Sequence, residues 1–354
     1  MAAVLDEAQE NLRMIRDSAA SVVPRDKGPQ RARSLRFRQP GFDTALWKEM
    51  CQLGWAGLRV PEGRGGSGLG VAALCAVAQE LGAALAPEPL VAVAAAAQRL
   101  SGSRLASVLR GDSIVVPAWL ERAHDFEAMG KTTLRAGKVT GTKRMVAGAL
   151  AAHAFVVTTP EGLALVESDA PGVTVTSVGL HDGTFAGDVV FAGAPAEPLA
   201  GSFDDIREEC AVANAAYLLG AMEAAFDMTL AYITVRKQFG KPIGSFQALQ
   251  HRAVDMKIQL ELARAVVDEA AAALDQQRGS AEARRALVSR AKMRAADAAM
   301  HIGKEAVQFH GAMGMTDECD VGLYTRKILA VHNDWGSAAA HRQRFAATLQ
   351  ARHD

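Results

Sequence analysis

The run Arg236-Lys237-Gln238-Phe239-Gly240-Lys241-Pro242 places a guanidinium at the corner of a helix. Gly240 suits a helix end, and Pro242 forbids the helix from continuing. Arginine pairs bidentately with phosphate oxygens, so this corner could hold a phosphorylated ligand. The same side chain could instead pair with the carbonyls of its own helix end. Gln308 precedes Gly311 at the close of another long helical run. A glycine there either lets backbone approach a ligand closely or ends the helix in the ordinary way. Gly63, Gly65 and Gly68 satisfy G-x-G-x-x-G, which could cradle a pyrophosphate at a helix N-terminus. Their context opposes it. The motif follows a helix and the short Leu58-Arg59-Val60, which runs into Pro61, and no acidic residue follows about 20 positions on at a second strand end. A loop whose glycines adopt positive φ is expected instead.

Other chemistries lack their residues. The nine histidines show no H-E-x-x-H or similar spacing, so no metal site is expected, and His310 and His332 read as structural or solvent-facing. Cys51, Cys75, Cys210 and Cys319 lie far apart without CxxC pairs, which excludes a disulfide framework and points to a reduced, cytoplasmic setting. Lys+Arg and Asp+Glu both number 39, so the chain lacks the basic footprint of a nucleic-acid partner. The longest apolar stretch, near Leu90–Ala97, falls short of the roughly 20 residues of a membrane span.

The elements that must position these residues change texture along the chain. Up to about residue 110 the pattern is helical, as in Phe42–Leu53 and Val71–Ala86, with a glycine-rich loop between. From 111 to 201, short β-like runs alternate with turn residues: Ser113–Pro117, Thr132–Arg135, Ala154–Thr159, Gly172–Val178 and Asp188–Phe191. After Ser202 no strand is expected. Four long helical segments follow, about 203–239, 245–278, 281–311 and 318–352. In the second, Leu249, Val254, Ile258, Leu262 and Val266 recur at helical spacing. The expectation is an α+β chain: an N-terminal helical domain (1–110), a central small β-barrel or sandwich (111–201) and a C-terminal four-helix bundle (202–354).

Tyr232 to Gln247 and Gln308-Phe-His-Gly311-Ala-Met-Gly314-Met-Thr316 resemble the acyl-CoA dehydrogenase family. So do Leu46-Trp47, Gly54-Trp55, Pro61-Glu62 and Glu80-Leu81-Gly82 near the start, and Val139-Thr-Gly141-Thr-Lys143 in the middle. The resemblance spans almost the whole chain in order, and it implies the same three-part fold. It further implies FAD as cofactor, an acyl-CoA thioester from fatty acid metabolism as substrate, and α,β-dehydrogenation to the enoyl-CoA. Arg236, Gln238, Phe246, Gln247, Gln308, Gly311 and Ala312 match positions that contact FAD across a subunit boundary. The chain would then be a homo-oligomer (dimer or tetramer) or part of a hetero-tetramer with a related chain. An electron-transfer flavoprotein would take the electrons.

The pattern departs at the base. The family abstracts the substrate α-proton with a carboxylate, most often Glu in Glu-Gly-Thr. Here that place reads Asn333-Asp334-Trp335-Gly336-Ser337, so Trp335 aligns with the Glu and Asp334 lies one residue off. The family's other base position falls on Cys210, beside Glu208 and Glu209. Glu209 and Asp334 are therefore the alternative candidates for the base, against plain solvated charge for either. The hydroxyl donors that face the flavin in the family are also replaced, by Pro117-Ala-Trp119-Leu120-Glu121 and Met145-Val146-Ala147. Two readings follow: a catalytic subunit, or a non-catalytic partner that completes another chain's flavin site.

Overall fold

The computed structural model describes residues 2–122 and 130–350. The helices are α1 (Ala2–Val22), α2 (Gly28–Leu35), α3 (Thr44–Gln52), α4 (Val71–Ala83), α5 (Leu90–Ala97), α6 (Gly102–Leu109), α7 (Phe203–Val235), α8 (Gln247–Asp275), α9 (Ala281–His310), α10 (Val321–Val331) and α11 (Ala338–Gln350). The strands are β1 (Val115–Ala118), β2 (Thr133–Arg135), β3 (Lys138–Ala147), β4 (Ala154–Thr159), β5 (Gly162–Glu167), β6 (Val173–Gly179), β7 (Phe185–Pro195), β8 (Glu197–Leu199), β9 (Lys237–Gln238) and β10 (Lys241–Pro242). These elements form two compact units, and the first 110 residues divide between them. One unit holds residues 1–34, 71–86 and 211–354; the other holds 35–70 and 87–210.

The first unit is helical. Small residues let its helices approach to backbone contact. A Cβ on Gly220 of α7 would lie 1.8 Å from the Gln79 carbonyl oxygen of α4, and one on Gly82 of α4 would lie 1.9 Å from the Tyr217 carbonyl oxygen. Only glycine fits at this crossing, which explains why an alanine-rich chain still needs glycine in two helix interiors. Asp275, the last residue of α8, accepts from the N–H groups of Val71 and Ala72 at the start of α4. The helix N-terminus that a G-x-G-x-x-G loop would offer to a pyrophosphate is thus capped by a carboxylate of the same unit. That removes the physical basis of dinucleotide binding there.

The second unit carries two open four-stranded sheets, ordered β1-β4-β5-β8 and β2-β3-β7-β6. β1 pairs parallel with β4, and the other neighbours pair antiparallel. The expected barrel is corrected: neither sheet closes on itself among the described residues, and the sandwich alternative holds. The sheets meet through buried aromatics, with Phe155 of β4 edge-on to Phe191 of β7 at 6.0 Å. Asp43 caps α3 by accepting from Ala45 and Leu46 N–H groups, and Gly54 at φ 82° follows its C-terminal end.

Two further expectations change. β9 and β10 form a two-residue ladder after residue 202, where no strand is expected. The fourth long segment is two helices, α10 and α11, broken where Trp335 (φ 62°) and Gly336 (φ 117°) turn left-handed. A Cβ at Gly336 would meet His341 Nε2 at 2.5 Å. By length and composition α7 also passes as a membrane span, yet more than half of its most apolar stretch is buried, as in a core helix. No disulfide joins the four cysteines.

Candidate functional site

The Arg236 corner is built by backbone geometry. The Arg236 N–H donates to the Tyr232 carbonyl (2.9 Å), closing α7, and its own carbonyl accepts from Ile243 N–H (2.8 Å). Between them Phe239 (φ 54°) and Gly240 (φ 79°) make a two-residue turn with positive φ at both positions, the geometry that suits a hairpin's twist. Thr234 through Lys241 are exposed, and Phe239 is 91% exposed. Phe246 caps the start of α8, meets Phe239 edge-on at 6.1 Å and carries the Lys241 ammonium 4.3 Å above its ring. Gln247 opens α8 and is exposed. Gln238 folds back to donate to the Lys237 carbonyl at 2.9 Å.

Among the described residues the Arg236 guanidinium makes no hydrogen bond or ion pair, so it does not pair with the carbonyls of its own helix. No carboxylate occurs in the sequence between Asp227 and Asp255, while Arg236, Lys237 and Lys241 fall in that interval; Arg252, also in it, is paired with Glu305. The result is a cationic, aromatic, solvent-facing corner.

The second motif lies beside the first. The Tyr232 ring stacks on the His310 ring at 4.3 Å and 23°. Tyr232 is one helical turn before Arg236, and His310 directly precedes Gly311, so the stack brings Arg236 and Gln238 to the same end of this unit as Gln308, Gly311 and Ala312. The last three are all exposed. His310 is buried, with Nδ1 2.8 Å from the Ala306 carbonyl, which assigns the proton to Nδ1 and makes the ring a structural spacer. Gly311 (φ 62°, ψ −142°) ends α9, and a Cβ there would meet nothing within 4 Å. Its left-handed φ, rather than crowding within the chain, calls for glycine.

The two carboxylates singled out for proton abstraction have different surroundings. Glu209, near the start of α7, is held at both oxygens. Arg59 donates from Nε to Oε2 (3.1 Å) and from Nη2 to Oε1 (2.8 Å), and Gln98 Nε2 donates to Oε2 at 2.7 Å. The pair is mostly buried, with side chains 20% and 12% exposed. Cys210 next to it is fully buried, and desolvation pushes its thiol well above the ordinary range, so it is no nucleophile.

Asp334 belongs to the other unit and sits in the α10–α11 break. Lys292 is buried beneath that loop and donates to the His332 carbonyl at 2.6 Å. Burial pulls Lys292 down to about 8, and the Asp334 and Asp297 charges act against this. Trp335, at the aligned base position, is anchored by its carbonyl to His341 Nε2 at 2.9 Å.

In the sheet unit, Lys143 is wholly buried, and its ammonium has three acceptors: Trp119 O (3.2 Å), Glu121 Oε1 (2.9 Å) and Thr158 Oγ1 (3.0 Å). Burial alone would raise the Glu121 carboxyl. Hydrogen bonds from Lys143, Thr132 and the Lys131 backbone outweigh it and hold the group at about 2. Trp119 packs on Phe203 at 5.6 Å, and a cleft of about 490 Å³ opens beside Phe203 and Thr159. Met145, at φ 54°, and Val146 and Ala147 contribute no hydroxyl here. The partners of Arg59, Gln98 and Glu121 had no signal in the sequence, because each is acquired only through contacts distant along the chain.

The family model for the acyl-CoA dehydrogenase N-terminal domain matches residues 9–103, and that for the acyl-CoA dehydrogenase C-terminal domain matches residues 209–350. A curated relative, "Acyl-CoA dehydrogenase IpdE2" of Mycobacterium tuberculosis, is 30% identical over 90% of this chain and 91% of its own length. The chain belongs to the acyl-CoA dehydrogenase family. Family members among solved structures share the fold closely. One is a variant of the Tcur3481–Tcur3483 steroid ACAD, with TM-score 0.89 and 27% identity over 98% of this chain and 99% of that one. Another is the ChsE4–ChsE5 complex from Mycobacterium tuberculosis, with TM-score 0.85 and 26% identity over 97% of both chains. Within this family, an oxidoreductase acting on an acyl-CoA is the activity class.

Proposed function

We infer that the chain is one subunit of an FAD-dependent acyl-CoA dehydrogenase that converts an acyl-CoA thioester to the enoyl-CoA. The observation that carries this is the pairing, through the Tyr232–His310 stack, of the exposed Arg236 corner with the Gln308–Ala312 turn. These residues fit the cofactor: a guanidinium engaged by no side chain, an exposed aromatic ring, and a left-handed glycine with open space beyond it. Arg236 would hold a pyrophosphate, with Gln238, Phe246, Gln247, Gln308, Gly311 and Ala312 around the rest. Bound FAD would supply the hydride acceptor for the substrate β-carbon. Because this corner faces outward, the site it completes lies on another subunit. The assembly is therefore a homo-oligomer or a hetero-tetramer with a related chain, passing electrons to an electron-transfer flavoprotein. Two solved relatives named for paired chains, Tcur3481–Tcur3483 and ChsE4–ChsE5, support the mixed assembly.

A second reading, in which the related chain supplies the base, is favoured by one observation. Arg59 and Gln98 occupy both Glu209 oxygens, and a carboxylate tied down this way is not free to swing to a substrate. Within this chain Asp334 is then the remaining carboxylate for proton abstraction. The test is flavin reduction by a panel of acyl-CoAs, with the chain alone and co-expressed with a related chain. Loss of about 10²–10⁴-fold on Asp334→Asn but not on Glu209→Gln supports catalysis by this chain. Reduction only in the co-expressed pair, indifferent to both changes, supports the second reading.

A further inference from the structure

The break between α10 and α11 is held at three carbonyls, each by a side chain of a different helix. Asn214 Nδ2 of α7 donates to Val331 O at 3.4 Å, Lys292 Nζ of α9 to His332 O at 2.6 Å, and His341 Nε2 of α11 to Trp335 O at 2.9 Å. A proton on His341 Nε2 leaves Nδ1 as an acceptor, and the Ser289 hydroxyl donates to it at 3.3 Å. Ser289 and Lys292 lie three residues apart on α9, so they share the face beneath the break. Ser289, Lys292 and His341 are all buried. These contacts hold a conformation that the backbone resists. Trp335 sits at φ 62°, an outlier for a bulky side chain, and the His341 ring fills the space that a Cβ at Gly336 needs. Strain of this kind persists only where the surroundings impose it, and it clusters at functional segments.

We propose that Lys292 is a positioning residue for the dehydrogenation: its ammonium fixes the 332–336 loop from beneath and sets where the Asp334 carboxylate stands. The inference rests on the reading of Asp334 as the base. A buried ammonium is a costly way to satisfy one carbonyl, which a neutral donor could serve. Its charge has a second use in Asp334. The charges that act on the ammonium are Asp334 on the loop and Asp297 on its own helix. Asp297 is paired with Arg342 of α11 at 2.7 Å, which leaves Asp334 as the main counter-charge. The α7 helix contributes the neutral Asn214, and α11 the His341 ring. His332 is held below its ordinary value, chiefly by burial, so it is neutral over the range near 8 in which Lys292 titrates. As pH rises through that range the ammonium is lost. Asp334 then loses its counter-charge, and the His332 carbonyl keeps only a neutral donor.

The test uses the full chain in its flavin-loaded oligomer and has two readouts. One is the rate of flavin reduction by an acyl-CoA. The other is Trp335 emission, taken as the difference from a Trp335→Phe chain. In wild type, reduction slows and the emission shifts to the red as pH rises through about 8. Lys292→Gln keeps an N–H for the His332 carbonyl and has no proton to lose, so both pH transitions vanish. Lys292→Met fills similar space without a donor or a charge, a change that folds tolerate. It shifts Trp335 emission to the red at every pH and slows reduction by up to about 10²-fold, with KM little changed. Transitions that persist in Lys292→Gln overturn the proposal, as does a Lys292→Met chain that matches wild type in rate and emission. Asp334→Asn separates the two readings. If it leaves reduction untouched while Lys292→Met still moves Trp335, the base assignment fails and the hold on the loop stands. If Asp334→Asn slows reduction and Lys292→Met does not, the base stands and Lys292 does not position it.

Discussion

Replacing Glu121 by Gln strands the Lys143 ammonium in the sheet unit with neutral partners only. Lys143 has no exposed side-chain surface, and Glu121 is 16% exposed. The two losses are therefore unequal. Removing the carboxylate charge leaves a buried cation that must be carried uncompensated or must deprotonate, which costs about 2–4 kcal/mol once the partial exposure of Glu121 is allowed for. Lys143→Met removes the buried charge and leaves Glu121 accepting from the Lys131 and Thr132 N–H groups at the solvent edge. Trp119 O and Thr158 Oγ1 lose their ammonium donor, and Glu121 Oε1 loses it but keeps the Thr132 N–H, so the cost is about 1–2 kcal/mol. The double variant should cost less than the sum of the singles.

The pH dependence has a definite sign. The folded-state carboxyl of Glu121 lies below its ordinary value of 4.5, at about 2. Its contribution is full above 4.5 and is lost as pH falls from there through 2. Denaturant midpoints of the full chain measured between pH 7 and pH 2.5 therefore fall more steeply for wild type than for Glu121→Gln. If Lys143→Met is the more damaging single change, or the two pH profiles are parallel, the pair is not the charged strut described above.

Gly220→Ala drives a Cβ onto the Gln79 carbonyl oxygen at 1.8 Å, so α4 and α7 must part, and unfolding studies should find a loss of about 1–3 kcal/mol. Asp275→Ala removes the cap on Val71 and Ala72 N–H groups and should cost about 0.5–2 kcal/mol, with faster amide hydrogen exchange confined to the start of α4. Cys210 should resist alkylation in the native chain and react only on unfolding.

The fold was legible where local signals agree with the tertiary outcome. Gly54 after the Phe42–Leu53 run and turn residues between the β runs each encode a boundary directly. The break at Gly336 was hidden because apolar spacing continues across it, and the reason for glycine there is His341, five residues on in sequence but pressed against it in space. The apolar repeat of α8 misleads for a different reason. Alanines bury as readily as larger residues in close-packed helices, so Ala253 and Ala263 share the inward face with Met256 and Leu260 while Val254, Ile258 and Leu262 point out. At the site, Arg236 and Gly311 were legible from helix ends. Their juxtaposition was not, because it depends on two rings, Tyr232 and His310, separated by most of two helices. Glu209 was singled out from its alignment beside Cys210, and nothing local announces that Arg59 and Gln98 hold it.

Flavin affinity of the Arg236→Ala chain, measured by equilibrium titration in the assembled oligomer, tests the central claim most directly. The guanidinium is exposed and engaged by no side chain, so its removal leaves the fold unchanged and deletes only a charged hydrogen bond to the cofactor, about 1.5–3 kcal/mol or some ten- to hundredfold in affinity. Weakened flavin binding of that size, with an unchanged oligomer mass, is the predicted result. Equal affinity and occupancy in wild type and variant would contradict it and leave Arg236 an ordinary surface cation.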